Sequence, residues 1–166
     1  AGALDEAEAL ARPEFVPRRA VTAGDVEVLR NYVGLLRLSP SQQRDVSERV
    51  MLEAAQGDTP FCISTFMFAA AHGAGDQAFD AINAALDAGR QLRPDNHEAF
   101  GMARAHSPLQ LFVGATGEPL WKNPRFPALC ARLGLAQYWV ETKKWPDCAT
   151  EAAYDFRTAC TEAISA

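Results

Sequence analysis

Ala78, Phe79, Ile82, Ala85 and Leu86 recur at three- and four-residue spacing. That period places all five apolar side chains on one face of an α-helix. The same period runs through most of the chain. Leu4, Ala7 and Leu10 carry it near the start. Val26, Leu29, Val33 and Leu36 form a second stripe, and Val46, Val50 and Ala54 a third. Between the stripes stand turn signals. Ser39-Pro40 pairs an N-cap serine with a first-turn proline. Gly57-Asp58-Thr59-Pro60, Gly73-Ala74-Gly75, Gly89, Asn123-Pro124 and Gly134 punctuate the rest. Residues 61–72 are apolar almost all round, which suits a helix in the middle of a bundle or solenoid. Composition agrees with helices. Alanine supplies about a fifth of the chain, and isoleucine occurs only as Ile63, Ile82 and Ile164.

The predicted elements are helices over about 3–11, 25–38, 40–56, 61–72 and 76–88, a short helix near 97–105, and helices near 124–133 and 136–142. A last helix opens at Pro146-Asp147 and turns Ala152, Ala153, Phe156, Cys160 and Ile164 inward. Asp76 is the expected cap of the fifth helix. Residues 108–119 read as the least helical stretch. The 166 residues suit one domain and suffice for a sizeable core. The formal charge of −5 argues against a nucleic-acid groove, which needs a clustered basic face. No apolar run approaches the 18 or so residues of a membrane span. The acidic first residues do not read as a signal peptide. Alanine at position 1 reads as the mark of a processed or excised fragment. The cysteines leave the compartment open, with the cytoplasm favoured over an oxidising one.

Gly2-Ala3-Leu4-Asp5-Glu6-Ala7 resembles the opening of the second helix of a tetratricopeptide repeat, and Ala78-Phe79-x-x-Ile82-x-x-Ala85 resembles the middle of that helix. Ala7 and Ala78 lie 71 positions apart (78 − 7), about two repeat periods. Val46 and Val50 match Ala78 and Ile82 at an offset of 32 (78 − 46). Phe66 replaces the usual small residue, and the turn before Gln77 is shorter than the family pattern. Asn123-Pro124-Arg125-Phe126, Leu133-Gly134-Leu135, Tyr138-Trp139 and Trp145-Pro146-Asp147-Cys148 resemble the tail that closes tetratricopeptide-like regions of bacterial sensory and regulatory proteins. The resemblance implies an all-α fold of stacked antiparallel helical hairpins over 1–106. Residues 107–166 would then be a loop and C-terminal capping helices packed with the first part as one unit. It also implies that the chain is the tail of a longer signalling protein.

The chemistry-bearing residues read as structural. Phe112-Val113-Gly114-Ala115-Thr116-Gly117 resembles the glycine-rich turn of a dinucleotide site, but Leu120 replaces the third glycine and Pro119 intrudes. A surface loop or short extended segment is expected there, and no cofactor. Asp95, His97, Glu98 and His106 lack metal-ligand spacing and read as connector residues, so no metal is expected. His72, at the end of an apolar helix, reads as a C-terminal cation or cap. Cys62, Cys130, Cys148 and Cys160 have no CxxC spacing; they read as buried free thiols, with two disulfides as the alternative in an oxidising compartment. No catalytic residues are assigned.

Trp121, Arg125, Tyr138, Trp139 and Trp145 fall close together in sequence, with Lys143-Lys144 beside them. Tryptophan and arginine are enriched at binding hot spots. These residues are the partner-binding candidates. They also suit the sealing of an open end of a helical stack. The expectation is a non-catalytic module that binds a protein or peptide. The alternative is self-association, or a structural segment with no separate ligand; an enzyme is the third option.

Overall fold

The computed structural model describes residues 2–10, 31, 33–57, 61–90, 92–93 and 114–166. The expected short helix near 97–105 and the start of the helix after Gly24 lie outside these residues. So do the connector residues Asp95, His97, Glu98 and His106.

Among the described residues the fold is all-α, with one pair of two-residue strands. Helix α1 spans Gly2–Leu10. A helical turn at 33–36 buries Val33 and Leu35, and Arg37 just after it donates to Asp5 Oδ1 on α1 at 2.7 Å.

Helix α2, Pro40–Gln56, starts where the sequence expects it. The Ser39 side chain accepts from the Gln42 amide, and the Gln42 side chain accepts from the Ser39 amide. This reciprocal capping box satisfies two donors that a helix start otherwise leaves orphaned.

Helix α3, Ile63–Ala71, is the central element. It packs against α2 and against α4, Gly75–Asp87. None of its described side chains is exposed, which is why the sequence could be apolar on every side. Phe66 is fully buried and meets Phe79 of α4 edge to face, with ring centroids 5.2 Å apart.

Ahead of α3, Phe61–Cys62 (β1) pairs in parallel with Leu92–Arg93 (β2). The expected helix over 61–72 therefore loses its first two residues to backbone pairing with a strand beyond α4.

Glycine sets the turn from α3 to α4. Gly73 has φ +84°, a backbone conformation that costs little only without a Cβ. The Ala74 amide reaches back to the Ala69 carbonyl at 2.9 Å and the Gly73 amide to Ala70 at 3.3 Å. That pair of bonds is a Schellman cap. Gly89 repeats it at the end of α4, with Arg90 bonded to Ala85 and Gly89 to Leu86. Asp76 sits inside the first turn of α4. Ala74 holds the cap position without a side-chain hydrogen bond, so the expected aspartate cap is not formed.

Residues 114–121 depart from expectation. They form helix α5, Gly114–Trp121, although two glycines and Pro119 disfavour helix there. Tertiary packing overrides propensity: α5 lies on α3 and buries Leu120 and Trp121.

The C-terminal part comprises α6 (Phe126–Arg132), α7 (Leu135–Thr142), a four-residue α8 (Cys148–Glu151) and α9 (Phe156–Ala163). The single last helix expected from Pro146 is thus two pieces. Asp155 accepts from the Thr158 amide and starts α9 afresh. Phe156 then becomes the centre of this part, with Trp139, Tyr154 and Phe126 at centroid distances of 5.7, 6.2 and 6.3 Å.

Two arginines two turns apart join the halves. Arg125 donates to Asp80 Oδ1 at 2.5 Å, and Arg132 donates to Asp87 Oδ1 at 2.6 Å. Asp80 and Asp87 are themselves two turns apart on α4, so the charged rows match in spacing. Arg132 also reaches Asn83 Oδ1 at 2.9 Å.

Candidate functional site

A surface groove of about 450 Å³ opens between the start of α2 and the end of α3. Pro40, Ser41, Gln43 and Arg44 line one side, and Ala71, His72 and Gly73 the other. Each side follows from a local signal. The Ser39 cap fixes where α2 begins, and the Gly73 cap fixes where α3 stops. The Arg44 stem packs beside Gly73, at ordinary van der Waals distance from where a Cβ would stand.

The groove has a fixed polar wall. His72 Nδ1 lies 2.9 Å from Gln43 Oε1, and its ring stacks obliquely on Phe68 at 4.3 Å. Burial pulls its pKa below the usual histidine value, so the neutral ring is favoured. His72 therefore couples α2 to α3 through Gln43; the cationic role expected at the helix end is disfavoured. Arg44 supplies the positive charge. Its Nε is 3.8 Å from Glu48, and Glu48 accepts from Gln77 of α4 at 3.1 Å. The Arg44 side chain is more than half exposed, so this pair leaves it accessible to solvent. An arginine beside an amide, a neutral imidazole and the apolar Pro40 and Ala71 can seat a polar chain segment with a carboxylate.

The five residues singled out by the sequence divide. Trp121 and Trp139 are buried in the core. Arg125 lies over the Phe79 ring at 5.3 Å and is held by α4. Trp145 is half-buried beneath Arg157, whose guanidinium carbon is 5.5 Å from the ring. Tyr138 is 50% exposed. Sequence proximity does not converge these side chains on one surface, because α7 turns Tyr138 outward and its neighbour Trp139 inward.

Leu52 is 60% exposed and Val50 38%, both on α2. The stripe of Val46, Val50 and Ala54 expected to face inward is therefore not the buried side of this helix, which Ser47 and Met51 hold instead. Cys130, Cys148 and Cys160 are free and buried within one core. Among the described residues, no group of three or more histidine, cysteine or acidic side chains could hold a metal ion. Among the same residues, no helix is long and apolar enough to cross a membrane.

The groove itself was not visible in the sequence. Ser39-Pro40 and Gly73 each read as punctuation. Only the packing of α2 on α3 brings them face to face. Compared with known proteins, the chain matches no family model, no curated protein and no solved structure.

Proposed function

We propose that the chain is a non-catalytic helical module that binds a protein or peptide partner, as part of a larger signalling or regulatory protein. The observation that supports this reading is the groove between α2 and α3, with Arg44 at its rim and the His72–Gln43 pair in its wall. A partner segment lies in the groove, covers Pro40 and Ala71, and places a carboxylate near Arg44. Its affinity comes from burial and a few polar anchors. The tetratricopeptide-like resemblance of the repeats, where short hairpins build such grooves, supports the same reading.

The test is selection of peptides on the immobilised chain, followed by affinity measurement against variants. Arg44→Glu is expected to weaken a selected peptide by about tenfold or more, since a charged contact is replaced by repulsion. Lys144→Glu, on an exposed position away from the groove, is expected to leave affinity unchanged. Equal affinity for wild type and Arg44→Glu overturns the reading.

A second reading has its own observation. Leu52 and Val50 expose apolar surface on α2, which self-association would cover. A molecular mass that rises with concentration, and falls back in Leu52→Glu, favours this reading over a separate partner.

A further inference from the structure

Two linked hydrogen bonds fix which nitrogen of the His72 ring carries its proton. Gln43 Nε2 donates to the Leu38 carbonyl at 3.0 Å. A carbonyl only accepts, so the amide nitrogen must face Leu38 and the amide oxygen must face the ring. His72 Nδ1 lies 2.9 Å from that oxygen. The oxygen also only accepts, so Nδ1 holds the proton. A neutral imidazole has one N–H, which leaves Nε2 as a bare acceptor. Among the described residues, no group donates to Nε2 and no carboxylate pairs with the ring. We propose that His72 is the specificity-determining acceptor of the groove: its Nε2 takes a hydrogen bond from a backbone N–H of the bound segment, beside the acidic side chain that meets Arg44. The inference rests on the groove being the partner's seat, and it names the chemistry that the seat selects.

The surroundings keep the ring uncharged. It stacks on Phe68 with centroids 4.3 Å apart, and burial disfavours the cation. On α2, Arg44 is the cation of the groove, with its stem beside Gly73, and Glu48 stands 3.8 Å from its Nε. On α4, Asp76 pairs with Arg125 at 3.8 Å, and on α5 Glu118 pairs with Lys122. A segment that places an acidic side chain on Arg44 brings main-chain N–H groups into the same groove, because every residue but proline carries one. Neutral His72 accepts from that donor. A protonated ring sets N–H against N–H and loses the bond. The site therefore binds less tightly as the ring gains its proton, although the partner is acidic. A groove that reads charge alone behaves in the opposite way.

The experiment follows the His72 ring nitrogens by NMR in the full chain. At pH 7.5, without ligand, the proton is expected on Nδ1; a proton on Nε2 overturns the proposal. The probe is then a peptide selected on the immobilised chain that Arg44→Glu weakens. By linkage, a peptide that needs the unprotonated ring lowers the His72 pKa on binding. That fall is expected, with affinity weaker at pH 5.5 than at pH 7.5. A rise, or no change, overturns the proposal. An N-methyl scan of the peptide is expected to find one backbone amide whose methylation weakens binding by about tenfold. His72→Ala is expected to bind the methylated and parent peptides alike; the titration and the scan on the native chain decide the matter if that variant does not fold. Failure of the groove reading looks different. No selected peptide then responds to Arg44→Glu, which removes the recognition role while the ring proton stays on Nδ1.

Discussion

The Arg90 guanidinium donates to the Gly57 carbonyl at 2.5 Å, closing the end of α2 from the end of α4. The same group donates to Ala54 at 2.7 Å and to Ala55 at 2.9 Å. These carbonyls are among those that a helix end leaves without partners, and a cation there also meets the negative end of the helix dipole. Gly89 makes the reach feasible, because its left-handed turn redirects the chain just before Arg90.

Arg90→Ala is therefore expected to destabilise the fold by about 2 kcal/mol, since hydrogen bonds to a charged group are lost and carbonyls are left bare. In a chain of this length that is a fall of roughly 4–8 °C in melting temperature. Arg90→Lys keeps the charge but not the planar fork, and should recover only part of the loss. A thermal scan of the three proteins decides it; an unchanged Arg90→Ala midpoint contradicts the cap.

Adjacent aromatics on α7 should behave oppositely. Trp139 is buried against Phe156, so Trp139→Ala is expected to cost about 3–5 kcal/mol. Tyr138 faces solvent, and Tyr138→Ala should stay within about 0.5 kcal/mol. Chemical denaturation of both variants checks the assignment of inward and outward faces.

Ser47 is a buried hydroxyl with no hydrogen-bond partner among the described residues. A partnerless buried polar group is a cost to the fold. Ser47→Ala removes that cost and improves helix propensity within α2. The expected result is a gain of up to about 1 kcal/mol, read from the denaturation midpoint. A loss of stability would mean that the hydroxyl has a partner.

His72 predicts a pH dependence with a definite sign. Its pKa in the folded chain lies below the ordinary 6.5 because burial disfavours the charged ring. The unfolded chain therefore binds more protons between the two values, and stability rises with pH across that window. The contribution is fully present above about 6.5 and is lost progressively as pH falls below it. His72→Gln should flatten this part of the profile. The check is the difference in stability between pH 7.5 and 5.5, measured for both proteins.

How much of this was legible in the sequence depended on whether a signal was local. Ser39-Pro40 located the start of α2 to the residue, and Gly73 and Gly89 located two helix ends, because caps and left-handed turns are written in single residues. The Ala78-to-Leu86 stripe located the face of α4 that lies in the core. Three elements were hidden. Helix α5 forms against its own propensities because α3 offers an apolar surface to Leu120 and Trp121. The β1–β2 pairing joins residues about thirty positions apart (92 − 61 = 31) and is too short to leave an alternating pattern. The break between α8 and α9 depends on Asp155 capping a new helix inside a continuous apolar stripe. The groove was hidden for the same reason as α5, since its two walls meet only through tertiary packing. Among the five aromatic and basic candidates, Trp121 and Trp139 contribute burial. Residue type suggested a contact surface for all five, but only the orientation of each helix decides which side chains reach solvent.

A partner seated between α2 and α3 must perturb the two walls of the groove. Backbone amide shifts, followed by NMR while a selected peptide is titrated into the chain, test it most directly. The largest changes are expected on Ser41, Gln43, Arg44, His72 and Gly73. Changes concentrated instead around Leu52 or on α7, with these five amides unmoved, would contradict it.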